Sequence, residues 1–295
     1  MSDSFSSKTI VVTGATSGIG LATAQILVQQ GISVIGVGRS AERCARTEAD
    51  LCSLNPVVRV AFLVANLSLL KQVRSLGQAV RQQLHTWDIH CLDGLVNNAG
   101  TFTFWQTLTP EGFEMQWAVN HLAAFLLTHE LLPLLTASPA ARVVTVSSGS
   151  HYGTRLRWND IQLRRGYNPL LAYKQTKLAN VLFTAELNRC LGPGSTVRAF
   201  AADPGLVNTE IGFKSNPGLA RWIWDLRRRG GISPAESARG VAFLVTESSI
   251  QNSSEIYWKH GKPKAPNRYA LDASAASRLW DLSAQMCGIN WRGIP

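Results

Sequence analysis

Short apolar runs with the composition of β-strands alternate with helix-like stretches along most of this chain of 295 residues. Most of these runs are almost continuously apolar, as strands that are covered on both faces usually are. Regular alternation of strand and helix predicts parallel strands that are joined by crossover helices. We therefore predict an α/β fold, a doubly wound Rossmann domain with a parallel sheet of about seven strands and helices on both faces. The strand candidates are 9–14, 32–38, 57–64, 93–100, 141–148 and 196–203, and the helix candidates are 18–30, 68–85, 110–136, 170–191 and 234–247.

The composition allows a large core, since hydrophobic residues make up 45% of the chain and charged residues 16%. No repeat at a solenoid period and no low-complexity linker divides the sequence, so we predict a single domain over residues 1–295. The stretch 204–233 interrupts the alternation with proline, glycine and tryptophan. We expect residues 206–232 to form a substrate lid near the carboxyl edge of the sheet.

The formal net charge is +10, which could suit a polyanionic cofactor, an anionic membrane or nucleic acid. The basic residues are scattered, however, and the one dense run is Arg227 to Arg229. No known module with interleaved basic and aromatic residues is recognisable in the sequence. We therefore expect no nucleic-acid partner.

The five cysteines include no Cys-x-x-Cys pair, and their number is odd. This pattern argues against a disulfide framework and a metal site, and it favours a reducing cytosol. The polar start MSDSFSSKTIVV does not resemble a secretory signal, and no stretch of about 18 uninterrupted apolar residues predicts a membrane span. We expect a cytoplasmic protein, and we leave peripheral contact with a membrane open.

The segment VVTGATSGIG places Gly14, Gly18 and Gly20 between the first strand and the first helix. Glycine allows a tight turn and lets a pyrophosphate approach the backbone, while the following helix points its N-terminal amides at that anion. A tight turn without a ligand is the alternative. The position directly after the first strand favours a dinucleotide site.

The end of the second strand predicts which dinucleotide binds. An acidic residue here would accept hydrogen bonds from the ribose hydroxyls and favour NAD, but the sequence reads VGRSAER. The Arg39 guanidinium can bind a 2′-phosphate through paired hydrogen bonds, and Arg43 can assist it. We predict NADP as the cofactor, with NAD less favoured; a solvated surface arginine is the alternative.

Four further motifs follow the glycine-rich turn: NNAG over 97–100, Asn120 in a helix that begins near 110, VSS over 146–148 and YKQTK over 173–177. Together with TGATSGIG, they resemble the short-chain dehydrogenase/reductase family over almost the whole chain. Each motif alone is typical of an ordinary turn or helix surface. Their coincidence in this order carries the resemblance.

The resemblance implies a catalytic tetrad of Asn120, Ser148, Tyr173 and Lys177. Tyr173 would exchange a proton with the substrate, and the Lys177 charge, one helical turn away, is expected to lower the pKa of the phenol. Ser148 would hydrogen-bond the substrate oxygen, and Ser147 is the less favoured register. Asn120 would bind a water that connects Lys177 to solvent.

The same resemblance implies cofactor contacts along one edge of the sheet. Asn98 would fix the central strand beside the cofactor, and Asn66 stands where the family usually has an aspartate next to adenine. The segment DPGLVNTE would border the nicotinamide. The expected cofactor-binding residues are Gly14, Thr16, Ser17, Gly18, Ile19, Gly20, Arg39, Asn66, Leu67, Asn98, Ala99, Gly100, Tyr173, Lys177, Pro204, Gly205, Val207 and Thr209.

The long segment between Ser148 and Tyr173, the run KLANVLFTAEL and the tail from IYWKHG resemble the retinol-dehydrogenase-like branch. This branch implies a hydrophobic carbonyl or alcohol substrate that is retinoid-, steroid- or lipid-like. A protochlorophyllide-type reductase is an alternative of similar pattern. A non-enzymatic protein that senses the dinucleotide is a second alternative, which the intact tetrad disfavours.

The segment 216–231 combines two tryptophans with a run of three arginines, Arg227 to Arg229, at the position of the family's lid. It can close over an apolar substrate, rest on an anionic membrane, or pack within the domain or at a subunit interface. The oligomeric state is open. The resemblance implies a homodimer through the helices near 110–136 and 170–191.

Overall fold

Eight strands form one sheet in a computed structural model that describes residues 8–205 and 233–291. The strand order is β3-β2-β1-β4-β5-β6-β7-β8, and among these strands β8 alone runs antiparallel to its neighbour. The doubly wound α/β fold is confirmed, with eight strands where about seven were expected. The strands are β1 (Thr9–Thr13), β2 (Ser33–Gly38), β3 (Val60–Val64), β4 (Gly94–Asn97), β5 (Ala141–Val146), β6 (Val197–Asp203), β7 (Tyr257–Lys259) and β8 (Lys262–Pro263).

Helices cover both faces of the sheet. Successive residues of a strand point to opposite faces, so the apolar strands give the sheet two apolar faces. Val11 and Val143 join the core under α3, α5 and α6. Ile10 and Val144 join the core under α1 and α7. The helices in the described residues are α1 (Gly18–Gln29), α2 (Ala41–Leu54), α3 (Leu70–Thr86), α4 (Met115–Trp117), α5 (Ala123–Thr136), α6 (Pro169–Leu191), α7 (Pro234–Thr246) and α8 (Ala273–Cys287).

The winding of the chain reverses at β1, which pairs with β2 on one side and with β4 on the other. The loops that follow β1 and β4 therefore meet at the carboxyl edge of the sheet, where ligands bind in open α/β folds. All six strands predicted from the sequence are present. The division into one domain and the lid over 206–232 stay predictions, and the lid lies outside the described residues.

The segment Met115–Thr136 is the one helical stretch, within the described ranges, that is long and apolar enough to cross a membrane by composition. Its most apolar window is 72% buried inside the domain, as expected for a core helix. A π-helical turn, Ala118–Leu122, joins α4 to α5. Such single turns often occur at functional sites, and this one carries Asn120.

Helix α8 packs against α5 and α6 through a cluster of aromatic rings. The Trp280 ring centre lies 5.2 Å from that of Phe125, 6.0 Å from Phe183 and 4.3 Å from Trp291. At the edge of this cluster, His121 Nε2 lies 2.8 Å from Ser283 Oγ. The chain's own helix thus covers the outer face of α5 and α6. A homodimer through α5 and α6 stays a prediction. Such a dimer would have to use parts of α5 and α6 that α8 leaves uncovered, or it would have to displace α8.

Replacing Trp280 by alanine should destabilise the protein by about 3–5 kcal/mol, since the indole is 5% exposed and fills the centre of the cluster. Urea unfolding followed by circular dichroism measures this loss. Trp105 is 75% exposed, so Trp105→Ala is a matched control that should change stability by less than about 0.5 kcal/mol. Equal losses for the two variants would contradict the packing of α8.

Candidate active site

The turn between β1 and α1 has a backbone that only glycine tolerates at two points. Gly14 and Gly18 adopt φ angles of 67° and 57°, in the left-handed region. At Gly20, a Cβ would lie 2.3 Å from the Gly14 carbonyl oxygen and 2.4 Å from Asn98 Nδ2. The three glycines therefore hold the turn close to the loop that follows β4.

Asn98 and Thr13 join these two loops. Asn98 Nδ2 donates to the Thr13 carbonyl at 2.8 Å, while Thr13 Oγ1 accepts from the amides of Asn98 and Ala99, both at 3.0 Å. Asn98 was expected to fix the central strand beside the cofactor. Its side chain does bond the end of the central strand β1, at Thr13, and so fixes the glycine-rich turn against the β4 loop; a contact with the cofactor stays a prediction.

The turn fits the pyrophosphate of a dinucleotide. Ser17 precedes α1 as its N-cap residue, but its side chain makes no capping hydrogen bond, so the first-turn amides stay open to an anion. Thr16 and Ser17 lie at the surface of the turn, and Ile19 is buried beneath it.

Two arginines flank the expected ribose position at the end of β2. Arg39 is exposed, and Arg43 Nη2 donates to the Thr16 carbonyl at 2.8 Å. Asn66 is also exposed, but its Oδ1 accepts from the Ser68 amide at 3.1 Å and the Ser68 hydroxyl at 2.9 Å. Leu67 beside it is half-buried.

Tyr173 and Ser148 meet across the ends of α6 and β5. The Ser148 hydroxyl lies close enough to the phenol to act on its pKa, and the Tyr173 ring packs edge-on against Phe102 at 5.7 Å. Ser147 instead donates from Oγ to the Lys177 carbonyl at 2.7 Å and is buried. Of the two serines, Ser148 is therefore the one that lies beside the phenol.

Lys177 is 4% exposed and lies one helical turn after Tyr173 on the same face of α6. Its Nζ donates to the Val146 carbonyl at 3.0 Å and lies 5.4 Å from the centre of the Tyr173 ring. Asn180 Nδ2 donates to the same carbonyl at 3.1 Å. A Cβ at Gly100 would lie 3.8 Å from Nζ, so the NNAG loop borders the ammonium.

The expected acidification of the phenol is wrong. Burial raises the pKa of Tyr173 to about 12, the Ser148 hydroxyl acts in the opposite direction, and the Asp203 charge adds to the increase. Burial also lowers the pKa of Lys177 to about 8. Desolvation disfavours the charged form of both groups, and here it outweighs the attraction that was expected between them.

Asn120 sits in the π-helical turn, where its carboxamide bridges two segments. Its Oδ1 accepts from the Thr101 amide at 2.7 Å, and its Nδ2 donates to the Thr101 carbonyl at 3.0 Å and to Thr176 Oγ1 at 3.1 Å. These bonds fix the loop after β4 against α6. A role for Asn120 in proton relay stays a prediction.

The segment DPGLVNTE, here called the Pro-Gly segment, is described from Asp203 to Gly205, and this part also lies at the carboxyl edge of the sheet. Gly205 has a φ of 77°, and the Pro204 carbonyl accepts from Ser237 Oγ at 2.7 Å. Val207 and Thr209, the other two expected contacts in this segment, lie outside the described residues.

Two residues near the site had not been singled out from the sequence. Ser150 Oγ donates to Ser148 Oγ at 2.9 Å, and the Ser150 amide lies 3.2 Å from the same oxygen. Asp203, at the end of β6, is buried. The sequence could have indicated both residues by their positions at the carboxyl ends of β5 and β6, because ligands bind at that edge of the sheet in this fold.

The model of the short chain dehydrogenase family matches residues 8–219. The chain belongs to this family. It is 36% identical to mouse retinol dehydrogenase 14, over 96% of this chain and 86% of that protein, and 36% identical to human retinol dehydrogenase 13, over 96% and 85%. A solved structure of an uncharacterised protein from Mycobacterium paratuberculosis is 32% identical with a TM-score of 0.72, over 99% of this chain and 97% of that one.

This short-chain dehydrogenase is retinol-dehydrogenase-like, and it is an NAD(P)-dependent oxidoreductase that acts on alcohol and carbonyl groups. A small molecule is therefore its substrate. The protochlorophyllide alternative gains no support from these relatives.

Replacing Lys177 by methionine should stabilise the protein at neutral pH. The folded pKa is about 8 and the unfolded value 10.5, so the buried charge opposes folding fully below pH 8, and its cost disappears as the pH rises to 10.5. Removing the buried charge should raise the free energy of unfolding by up to about 3 kcal/mol at neutral pH. Loss of the hydrogen bond to the Val146 carbonyl should reduce that gain by about 1 kcal/mol.

Urea unfolding at neutral pH and near pH 10 measures both gains. The advantage of the methionine variant should shrink as the pH rises. Lys174→Met, on the same helix at a half-buried position, controls for the change in net charge. An advantage that is constant with pH would contradict the buried ammonium.

Proposed function

We propose that this short-chain dehydrogenase uses NADP(H) to interconvert a carbonyl and an alcohol on a hydrophobic substrate, with Tyr173 as general acid and base. The proposal rests on one observation: the Tyr173 phenol lies beside the Ser148 hydroxyl and the Lys177 ammonium, at the edge where the glycine-rich turn lies. A proton donor, an oxygen-binding hydroxyl and a cation in one place suit transfer of a proton to a carbonyl oxygen.

The glycine-rich turn, Asn98 and the loop through Ala99 and Gly100 would hold the dinucleotide. When bound, its nicotinamide supplies the hydride in reduction and accepts it in oxidation. All other steps in the proposal belong to side chains of the protein.

Tyr173 keeps its proton at neutral pH because burial raises the pKa of the phenol to about 12. The protonated phenol is the form that donates to the oxygen of a carbonyl during reduction, while Ser148 donates a second hydrogen bond to that oxygen. The resulting phenolate would be stabilised by the Lys177 charge, 5.4 Å from the ring centre. Ser150 Oγ donates a hydrogen bond to Ser148 Oγ, so the Ser148 hydroxyl is free to donate its own proton to the phenol or to the substrate.

Replacing Tyr173 by phenylalanine should lower kcat by at least about 100-fold, since the general acid is lost while the ring keeps its packing on Phe102. NADPH oxidation measures kcat, and fluorescence titration should give a dissociation constant for NADPH close to that of the wild type. Tyr269→Phe is the control, because its hydroxyl accepts from Trp158 Nε1 away from the tetrad. A Tyr173→Phe enzyme with most of its activity would remove the assigned acid.

The preference for NADP over NAD is proposed from Arg39. It is an exposed guanidinium at the end of β2, followed by Ser40 and not by a carboxylate that would repel a phosphate. The bond from Arg43 to the Thr16 carbonyl assigns Arg43 a second role, which is to hold the glycine-rich turn.

Arg39→Ala should weaken the binding of NADPH by about 10- to 100-fold and that of NADH far less, because only NADPH carries the 2′-phosphate. Fluorescence titration with both dinucleotides measures the two losses. Arg59→Ala is the matched control: Arg59 is exposed too, but it precedes β3 at the opposite edge of the sheet. Equal losses for the two dinucleotides in Arg39→Ala would mean that this residue does not read the phosphate.

A hydrophobic substrate is supported by the loop beside Tyr173. Phe102 packs on Phe104 at 5.0 Å, and Trp105 and Leu108 further along the loop are 75% and 52% exposed. Apolar walls with few polar groups are typical of sites for apolar ligands. The similarity to retinol dehydrogenases favours retinoid-, steroid- or lipid-like compounds.

A panel of hydrophobic aldehydes, ketones, quinones and alcohols tests the substrate class. Turnover of small polar carbonyls alone would contradict the proposal, and binding of NADPH without any turnover would favour the dinucleotide-sensing alternative. A cytoplasmic location with peripheral membrane contact, which would give access to lipid-soluble substrates, belongs to the same proposal.

A further inference from the structure

The main chain of Ser148 is anchored on both sides of the residue. On the side before it, the Ser147 amide donates to the Ala202 carbonyl at 2.8 Å. On the side after it, the Ser148 carbonyl accepts from His151 Nδ1 at 2.7 Å and from the His151 amide at 3.2 Å. The imidazole of His151 is therefore the side chain that holds the carbonyl of the serine.

The other nitrogen of this ring faces the segment that follows β8. We call residues 264–269 the strap, and residues 148–154 the serine loop. His151 Nε2 accepts from the Asn267 amide at 3.0 Å. Asn267 Nδ2 donates to the His151 carbonyl at 3.1 Å and to the Thr154 carbonyl at 2.9 Å. Asn267 thus ties the strap to both the ring and the backbone of the serine loop.

These partners determine where the imidazole carries its proton. A carbonyl only accepts hydrogen bonds, and a backbone amide only donates them. Nδ1 of His151 is therefore protonated and Nε2 is not, so the ring is neutral. The ring is fully buried, and its centre lies 4.2 Å from that of Tyr152 and 4.8 Å from that of Tyr257. Two directed hydrogen bonds and close packing give it one orientation.

The position of the Ser148 hydroxyl depends on this loop. Its Oγ accepts from the amide and the hydroxyl of Ser150, which lies in the same turn as His151. A shift of the Ser148 carbonyl would move the turn, and the oxygen would move with it. A displacement of about 1 Å in a group that contacts the reacting atoms can lower a rate by about 100-fold.

We propose that His151 is a positioning residue, which fixes the Ser148 hydroxyl through the Ser148 carbonyl and takes its own orientation from the strap. This inference rests on the proposed role of Ser148 in binding the substrate oxygen. It gives the strap a part in building the site, although Asn267 lies 116 positions after His151 in the chain.

His151→Phe keeps a ring between Tyr152 and Tyr257 but removes both hydrogen bonds of the imidazole. We expect kcat to fall by about 10- to 100-fold. The substrate KM should change by less than about 3-fold, because the serine acts most strongly on the charge that develops in the transition state. NADPH oxidation with the best carbonyl substrate of the hydrophobic panel measures both constants. An unchanged kcat overturns the inference.

A double-mutant cycle separates positioning from a general loss of structure. In a Ser148→Ala background no hydroxyl remains to be placed, so adding His151→Phe should lower kcat by less than about 2-fold. A purely structural effect would lower kcat by the same factor with and without the hydroxyl. That result would contradict the role of His151.

His151→Asn is the conservative variant, because its side-chain nitrogen takes the position of Nδ1 and can donate to the Ser148 carbonyl. It should recover most of the kcat that His151→Phe loses, although asparagine fills less of the space between the two tyrosines. Urea unfolding gives the stability of each variant. A kcat that follows stability, and not the presence of the donor, would show a structural role only.

Two variants at Asn267 test the strap. Asn267→Ala removes the side-chain bonds but keeps the amide that donates to His151. Asn267→Pro removes this amide as well, and the backbone φ of −52° suits proline. The proline variant should have a kcat about 3- to 10-fold below that of the alanine variant. Equal values would exclude the strap from the orientation of the ring.

The variants also distinguish this inference from the proposed function. If His151→Phe does not fold, His151→Asn and the two Asn267 variants decide. A Tyr173→Phe enzyme that stays active would refute the proposed function alone. A wild-type kcat in His151→Phe together with an inactive Tyr173→Phe would refute the inference alone.

Discussion

The hydrogen bonds between Asn98 and Thr13 join the two loops on which the site is built. They connect the loop after β4 to the glycine-rich turn after β1, at the point where the winding of the sheet reverses. Parallel pairing of β1 with β4 brings the loops to one edge, and these side-chain bonds hold the two loops together there. Because Gly100 and Thr101 follow directly in the chain, the same bonds also set where the loop meets Asn120 and Lys177.

Burial, and not the attraction between charges, determines the direction of the pKa shifts of Tyr173 and Lys177 at the centre of the site. Burial moves the pKa of each group toward its neutral form, to about 12 for the phenol and to about 8 for the ammonium, which leaves Lys177 mainly charged at neutral pH. Spacing along a helix predicts that two side chains share a face, and α6 confirms it for Tyr173 and Lys177. The direction of a pKa shift depends on what covers that face, which a single sequence does not reveal.

The sequence predicted the strands with continuous apolar runs, most of which are buried throughout, although the edge strand β3 is partly exposed. It did not predict α2, whose buried face consists of Cys44, Thr47 and Leu51 and whose other positions are largely polar. It also did not predict β7 and β8, which have three and two residues and are too short for a periodic pattern. Ser148 could be placed by its motif, whereas the contacts of Ser150 and Asp203 exist only in the folded chain.

The packing of α8 has a consequence for the order in which the protein can fold. His121 and Ser283 are partners across 162 positions of the chain, and the aromatic rings around them join segments made early and late in synthesis. Contacts of such separation are slow to form, because a long loop must first be closed. During translation, α5 and α6 therefore emerge with an apolar side that has no cover until α8 leaves the ribosome. In that interval, the uncovered apolar side makes the nascent chain prone to aggregation.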